Sequence, residues 1–282
     1  MEDKTSDMRF ASAAWPIVSG KDHTAPSVFR PEALIREARR QKELPHVAVP
    51  EVCVLDPDGD VVRHLKRTGA GRTHKGWACY HTDLLTFELD GVGEVGIIGC
   101  AVGAPFAVLV SEQLFASGCR LLVSVTSAGQ ITDNGPTPYF VLIDRALRDE
   151  GTSYHYLPPA TFAEAPDTTL LARIEDALSG LSGIIVHRGA TWTTDAPYRE
   201  TEAAIASARG LGALAVEMEA AALYAFAAAT HRCVVCFAHV TNAMAQTEGD
   251  FEKGEADGTT ATLAVIAAAV HVWTSSTVDA GS

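Results

Sequence analysis

Two carboxylates flank a methionine in Glu217-Met218-Glu219, where an apolar run passes into an alanine-rich run. The first run predicts a strand and the second a helix. Buried carboxylates cost free energy unless hydrogen bonds or opposite charges compensate them. One reason to keep such a group is to accept hydrogen bonds from two neighbouring sugar hydroxyls. An acidic pair stabilised by the helix dipole is the alternative, and the residue types alone favour neither.

Two other predicted strand ends carry glycine and small polar residues. Gly99–Pro105 leads from a strand into a helix, and Ser124–Gln130 closes the next strand. Because the carboxyl ends of adjacent parallel strands lie side by side, backbone amides and the hydroxyls of Thr126 and Ser127 could meet at one ligand pocket. Tight turns need the same residue types, so turn chemistry is an equal alternative.

Gly91–Gly96 has the G-x-G-x-x-G spacing of a dinucleotide-binding fingerprint. That fingerprint must follow a strand and open a helix, whereas this segment precedes the strand predicted at Glu94–Gly99. We therefore expect a hairpin turn here, and an oxidoreductase has no other support in the sequence.

Cys233 and Cys236 form a C-x-x-C pair inside the run Cys233–Thr241, which predicts a buried strand. An odd separation in a strand places the two side chains on opposite faces. A zinc or redox site also needs a turn or a second pair of ligands. No metal site is therefore expected.

The composition limits the partners of this chain. Its 282 residues are 47% hydrophobic, and its formal net charge is −13. Such an acidic surface repels phosphate backbones and anionic membranes, so no nucleic-acid or membrane partner is expected. The six cysteines sit mainly in apolar runs, and no signal peptide or membrane span is visible. These features predict reduced thiols and a cytoplasmic location.

The remaining segments predict strands that alternate with helices. Pro31–Lys42 predicts a helix, Val47–Leu55 a strand, Asp56–Asp60 a turn, and the basic, glycine-rich Arg63–Gly76 a mobile loop. Further strands are predicted at Glu94–Gly99, Arg120–Thr126, Ala213–Val216 and Arg232–Val240, and further helices at Pro105–Ser117, Thr168–Leu178 (with a threonine as its cap), Ala220–Ala229 and Thr259–Trp273. This order favours an α/β fold, a three-layer α/β/α arrangement around a central mixed, largely parallel sheet.

At Val216–Tyr224 the sequence resembles the signature of the nucleoside phosphorylase-I family, which includes purine nucleoside phosphorylases, uridine phosphorylases and related nucleosidases. Other segments resemble family elements in the same chain order: Gly99–Pro105 the glycine-rich loop, Thr126–Gly129 the phosphate loop, Gly189–Tyr198 the segment bordering the base, and His239–Asn242 the Ser-Asp or Thr-Asn pair. The resemblance runs from about Pro45 to the C-terminus. Residues 1–30 predict an N-terminal arm, and residues 31–282 a single nucleoside phosphorylase-like catalytic domain.

The resemblance implies roles on the sugar side of a nucleoside. Glu219 would bind the ribose hydroxyls, Met218 would pack on the sugar, and Glu217 would support Glu219. His46 resembles a family histidine that reaches the ribose 5′-hydroxyl in a partner subunit, although a surface histidine explains it too.

On the base side, the resemblance points to Asn242 and Glu200. Many family members carry an aspartate at the position of Asn242, which protonates the leaving purine. An amide can instead donate to N7 or O6 as negative charge develops on the base. Glu200 resembles a glutamate of the trimeric purine phosphorylases, so the pair would recognise a 6-oxopurine, unless Glu200 is a solvated residue at a helix start. Thr194, Tyr198 and Trp192 would border the base, or the two aromatic residues belong to the core.

The resemblance also implies a phosphate site. Its expected ligands are Ser127, Thr126, Lys75 and Arg63. The family motif Gly-Asp-Pro-x-Arg is replaced by Asp56-Pro-Asp-Gly-Asp-Val-Val-Arg63, and Ser124 stands where hexameric members carry an arginine. Arg63 would serve from a shifted position and Lys75 from a neighbouring subunit. If these two residues do not serve in this way, phosphate binds so weakly that water, rather than phosphate, accepts the ribose.

These roles together imply phosphate-dependent cleavage of the N-glycosidic bond of a ribonucleoside, with a purine as the expected base. The products would be the free base and ribose 1-phosphate. The protein would be a pentosyltransferase with phosphate as co-substrate and no other cofactor. A homo-oligomer (dimer, trimer or hexamer) with sites near its interfaces is expected. Two alternatives stay open: a nucleosidase that uses water, and a catalytically inactive nucleoside-binding protein.

Overall fold

The computed structural model describes residues 15–244 and 248–279. Its strands are β1 (Val52–Asp56), β2 (Arg72–Thr73), β3 (Leu85–Leu89), β4 (Gly93–Gly99), β5 (Leu121–Gln130), β6 (Tyr139–Asp149), β7 (Phe162–Glu164), β8 (Val186–Thr194), β9 (Ala213–Glu217) and β10 (Cys233–Asn242). Its α-helices are α1 (Pro31–Gln41), α2 (Asp60–Thr68), α3 (Ala104–Ala116), α4 (Thr168–Leu178), α5 (Glu202–Gly210), α6 (Ala220–Thr230) and α7 (Thr259–Asp279). Within these ranges, no helix is both long enough and apolar enough to cross a membrane.

The strands form one mixed sheet in which β5 has the central place. One edge of β5 pairs in parallel with β10. Its other edge pairs in parallel with β1 and, at its carboxyl end, antiparallel with β9. The pairing continues from β10 through β6 and β8 to β9, so these strands close a ring with β5, while β4, β3 and β2 extend outward from β1. The predicted α/β class, a mixed sheet with helices on both sides, is confirmed.

Helix α6 is buried along most of its length and carries the acidic pair at its start. All eight residues from Ala220 to Ala227 are buried, and five of them are alanines. Their small side chains let the helix lie close to the sheet. The hydroxyl of Tyr224 donates to the carbonyl oxygen of Ile143 at 2.5 Å and accepts from the amide of Cys236 at 3.1 Å. These two contacts hold α6 against β6 and β10, and thereby fix where the helix begins.

The mobile loop predicted at Arg63–Gly76 is wrong, because α2 and β2 occupy most of this segment. Val61 and Leu65 lie four residues apart on the helix, and both are buried. Gly69 ends the helix in the left-handed conformation, with φ of 71°. Two of the basic residues that suggested a loop, Lys66 and Arg67, form the exposed last turn, where the helix dipole favours positive charge.

Several local predictions can be compared with the elements observed. The hairpin predicted at Gly91–Gly96 is confirmed, because this segment contains the end of the turn after β3 and the start of β4, and the two strands pair antiparallel. The strand predicted to contain both C-x-x-C cysteines is also confirmed as β10. The cap predicted for α4 is wrong: the carboxylate of Asp167, rather than a threonine, accepts from the amide of Leu170 at 2.8 Å.

Residues 15–30 contain no helix or strand in the structure. His23 Nε2 lies 3.1 Å from the carbonyl oxygen of Tyr154, and Lys21 Nζ lies 3.1 Å from His155 Nδ1. These contacts attach the segment to the short 3-10 helix at Ser153–His155. The predicted arm at residues 1–30 stays a prediction, since residues 1–14 lie outside the described part of the chain.

Candidate functional site

Three strand ends meet at Gly129. This residue pairs with Asn242 of β10 on one side and with Val216 of β9 on the other. A Cβ at this position would lie 2.7 Å from Met244 Sδ and 3.3 Å from Val216 Cγ1. Glycine therefore allows the close approach that brings Asn242 and the acidic pair after Val216 to the same edge of the sheet.

Both oxygens of Glu217 are bound by protein groups. Oε1 accepts from the hydroxyls of Thr191, at 3.1 Å, and Thr193. Oε2 accepts from the backbone amides of Glu219, at 2.6 Å, and Ala220, at 2.7 Å. Burial raises the pKa of Glu217, and these hydrogen bonds act to lower it. Glu217 thus satisfies amides at the start of α6 that have no partner within the helix, and has the geometry of a supporting residue.

Glu219 differs because only one of its oxygens has a partner. Oε1 accepts from the amide of Gly103 at 2.6 Å, whereas Oε2 is buried without a hydrogen-bond partner among the described residues. Burial, and after it the charge of Glu217, raises the pKa of Glu219 to about 8, although the hydrogen bond from the Gly103 amide acts to lower it. A ligand that donates a hydrogen bond to Oε2 would offset this cost of burial.

Asn242 presents its amide at the end of β10 and is 7% exposed. Its Oδ1 accepts from the backbone amide of Met244 at 2.9 Å, which orients the side chain. Its Nδ2 has only long contacts, 3.3 Å to the Thr241 hydroxyl and 3.5 Å to the carbonyl oxygen of Ala128. Hydrogen bonds of this length are weak, so the donor is readily transferred to an acceptor atom on a ligand.

The residues expected to border the base lie in different environments. Thr194 is buried at the end of β8, and Glu200 is partly buried, which raises its pKa. Tyr198 is 99% exposed and extends into solvent. Trp192 packs in the core, where its Nε1 donates to Asp149 Oδ2 at 3.0 Å. The structure therefore shields Thr194 from bulk solvent, shields Glu200 in part, and leaves Tyr198 outside the fold.

Three further predicted residues are not buried. Met218 is partly exposed between the two buried glutamates. His46 lies exposed between α1 and β1, and Lys75 lies exposed after β2. Among the described residues, neither His46 nor Lys75 makes a hydrogen bond or ion pair with Glu219, so one chain by itself does not join them to the acidic site.

The predicted phosphate ligand Ser127 is bound to a carboxylate of the protein itself. The Ser127 amide donates to Asp58 Oδ2 at 2.6 Å, and its hydroxyl donates to Asp58 Oδ1 at 2.7 Å. Thr126 is buried beside it, and Ser124 is buried inside β5 and brings no charge. Sequence reasoning misses Asp58, and the one signal for it is the extra aspartate in Asp-Pro-Asp-Gly-Asp at residues 56–60.

Arg63, another predicted phosphate ligand, is engaged with the turn that contains Asp58. Its Nη1 donates to the carbonyl oxygen of Asp58 at 2.8 Å, and its Nη2 pairs with the carboxylate of Asp60. Lys253 pairs with the same carboxylate. The structure thus directs the Arg63 guanidinium to Asp58 and Asp60 rather than to Ser127.

A family model described as the Phosphorylase superfamily matches residues 51–275 of the chain. The chain is also similar to the DeoD-type purine nucleoside phosphorylases of Colwellia psychrerythraea and Bacillus cereus, with 30% identity over 135 residues. That stretch is 48% of this chain and 57% of each relative, so the chain matches little more than half the length of these curated relatives.

Among solved structures, the chain is similar to uridine phosphorylase from Vibrio fischeri. One structure of that enzyme aligns with 82% of this chain, and the alignment includes 95% of the enzyme's chain, with a TM-score of 0.66 and 21% identity. Another, in complex with 6-hydroxy-1-naphthoic acid, covers 79% of this chain and 90% of its own, with the same TM-score and identity. At this identity, the similarity shows a shared fold.

Proposed function

The chain belongs to the phosphorylase superfamily, and from that premise we propose that it cleaves the N-glycosidic bond of a purine ribonucleoside. The observation that carries the proposal is the buried, unpartnered Oε2 of Glu219 at the strand ends that also hold the Asn242 amide. Ribose has vicinal hydroxyls that can donate to Glu219, and a purine has acceptor atoms for Asn242. The names of the similar proteins, which are purine nucleoside and uridine phosphorylases, support this substrate class.

Cleavage of this bond separates charge, and the site offers a group for each part. C1′ becomes oxocarbenium-like as the electron pair of the bond moves to the base, and the nucleophile attacks from the opposite face. Asn242 Nδ2 donates to N7 or O6 and stabilises the negative charge on the base. Glu219 holds the ribose hydroxyls and Met218 packs on the sugar. Glu200 completes the recognition of a 6-oxopurine.

Two acceptors fit this chemistry. Phosphate is suggested by the names of the relatives, and it would give ribose 1-phosphate and make the protein a pentosyltransferase without another cofactor. Its ligands would be Ser127, Thr126, Lys75 and Arg63. Water is the second candidate, favoured by the contact between Asp58 and Ser127, and it would give free ribose.

We further propose that the protein acts as a homo-oligomer in which His46 and Lys75 reach the site of a neighbouring subunit. Both side chains are exposed on the single chain, as this role requires. Subunits carrying His46→Ala, mixed with subunits carrying Glu219→Gln, should form hybrid oligomers with more activity than either parent variant. A monomer in light scattering, or hybrids no more active than their parents, would contradict this arrangement.

Base release from a panel of purine and pyrimidine ribonucleosides tests the proposed cleavage. We expect release from 6-oxopurine nucleosides, and a loss of about 100-fold in kcat for Asn242→Ala, the size found for removal of one charge-stabilising donor. Asn134→Ala, a change of the same type in the loop after β5, should keep the wild-type rate. Binding without release from any nucleoside would contradict cleavage and indicate a nucleoside-binding protein.

A further inference from the structure

Asp58 occupies both hydrogen-bond donors that Ser127 could offer to an anion. The Ser127 amide and hydroxyl lie 2.6 Å and 2.7 Å from the two oxygens of this carboxylate. Two-point pairing of this kind is what a bound phosphate would need at the same place. Phosphate could therefore use Ser127 only after Asp58 had left it.

The turn that presents Asp58 is held from several directions. The carboxylate of Asp56 accepts from two backbone amides of the following residues, at 3.1 Å and 2.9 Å. Gly59 has φ of 77°, and a Cβ there would lie 2.6 Å from Cys100 Sγ, so this position requires glycine. Arg63 also donates to the carbonyl oxygen of Asp58 at 2.8 Å. These contacts fix the backbone of the turn, which places the Asp58 side chain beside Ser127.

The charges around this turn also disfavour a second anion. Asp58 is near enough for its charge to raise the pKa of Glu219. The cations close to the turn, Arg63 and Lys253, are both paired with Asp60. An incoming phosphate would meet like charges here, which is unfavourable in a partly buried site.

We infer that Asp58 takes the place of phosphate, so that the acceptor is water and Asp58 is its general base. This inference rests on the proposed cleavage of a ribonucleoside. An ionised carboxylate has about four lone-pair positions, and the two hydrogen bonds from Ser127 leave some of them for a water molecule. Asp58 therefore accepts a hydrogen bond from water without leaving Ser127.

The hydrolytic step balances with water alone. As the water oxygen bonds to C1′, one of its protons passes to the Asp58 carboxylate. The bond between C1′ and the base breaks, and its electron pair goes to the base. Asp58 then returns its proton to solvent, and the base takes one proton from solvent. The products are ribose and the free base.

The first test compares base release by the wild-type protein with and without phosphate. We expect equal rates in both buffers, with free ribose as the sugar product. Release that requires phosphate, with ribose 1-phosphate as the product, would overturn the inference while supporting the proposed cleavage.

The second test uses Asp58→Ala, Asp58→Asn and the control Asp90→Ala, which removes an exposed carboxylate from the turn between β3 and β4. Removing a general base should lower phosphate-free release by about 10²- to 10⁴-fold in both Asp58 variants. Asp58→Asn keeps the size of the side chain, so it serves if the alanine variant does not fold. Asp90→Ala should keep the wild-type rate. Unchanged release by both Asp58 variants would overturn the role of Asp58 as the base.

Phosphate binding gives a readout that does not depend on activity. Inorganic phosphate should raise the Tm of Asp58→Ala, because Ser127 is then open, and should leave the Tm of the wild-type protein unchanged. A larger phosphate shift for the wild-type protein than for Asp58→Ala would overturn the inference. If no nucleoside is cleaved in either buffer, the proposed function fails, and this titration still decides whether Asp58 fills the anion site.

Discussion

The backbone amide of Gly103 donates a 2.6 Å hydrogen bond to Oε1 of Glu219, although 116 residues separate the two in the chain. Gly103 precedes α3 with φ of 89°, a conformation that residues with a side chain rarely adopt. The contact connects the glycine-rich loop after β4 with the start of α6. It holds one carboxylate oxygen and leaves the other, Oε2, for a ligand.

Replacement of this carboxylate should abolish most activity without unfolding the protein. Glu219→Gln keeps the size of the side chain, but its Nε2 cannot accept hydrogen bonds from ribose hydroxyls. We expect kcat/KM for the cleaved nucleoside to fall by about 100-fold, equivalent to roughly 3 kcal/mol of transition-state stabilisation. Glu164→Gln, at the exposed last residue of β7, is the matched control and should leave kcat/KM unchanged. Equal kcat/KM for both variants would contradict the assignment of Glu219.

The raised pKa of Glu219 should make stability depend on pH. Its pKa is about 8 in the folded protein and 4.5 in the unfolded chain, so between these values the folded state binds more protons. The free energy of unfolding therefore decreases as pH rises through this window, by at most about 1.4 kcal/mol per pH unit from this group. The buried Glu219 therefore costs no folding stability below about pH 4.5, and its full cost is reached above about pH 8.

Urea unfolding of wild-type protein and Glu219→Gln across this pH window measures the effect. Subtracting the two curves removes the contributions of the other buried groups that both proteins share. The variant should gain stability relative to wild type as the pH rises. Parallel curves would show that the pKa of Glu219 is not raised.

Glu217 should be a stability residue rather than a ligand. In Glu217→Gln, an NH2 group replaces one of the two accepting oxygens. It would face either the backbone amides of Glu219 and Ala220 or the hydroxyls of Thr191 and Thr193, so these buried donors would lose their acceptor. We expect a loss of about 2–4 kcal/mol in the free energy of unfolding, from two unsatisfied buried groups. Chemical denaturation beside the control Glu164→Gln measures this loss. A change as small as that of the control would contradict the supporting role.

Gly129→Ala should disturb the site more than the fold. The new Cβ would lie 2.7 Å from Met244 Sδ, so the methionine must shift, and the Met244 amide orients Asn242 through a 2.9 Å hydrogen bond to its Oδ1. A misplacement of about 1 Å can cost about 10²-fold in rate, and we expect a fall in kcat of that order. Gly210→Ala, where a Cβ meets nothing within 4 Å, is the control and should keep the wild-type kcat. An unchanged kcat in Gly129→Ala would show that the position of Asn242 is not critical.

Local signals account for the parts of the fold that sequence reasoning predicts correctly. The resemblance at Val216–Tyr224 is confirmed by the family model, which matches residues 51–275. Strand β6 escapes prediction because charged residues interrupt its apolar run. One of them, Arg148, is buried because its guanidinium donates to the carbonyl oxygens of Pro158 at 2.7 Å and Leu157 at 3.1 Å. Such compensation comes from tertiary contacts and cannot be read from hydrophobic periodicity.

By itself, the sequence determined the alternation of most strands and helices and the position of Glu217 and Glu219 at a strand–helix junction. These features depend on residues that are neighbours in the chain. The tertiary structure alone decided which oxygen of Glu219 lacks a partner, and that Asp58 binds Ser127. The partners in these contacts are 116 and 69 residues apart, and the order of the strands in the sheet brings them together.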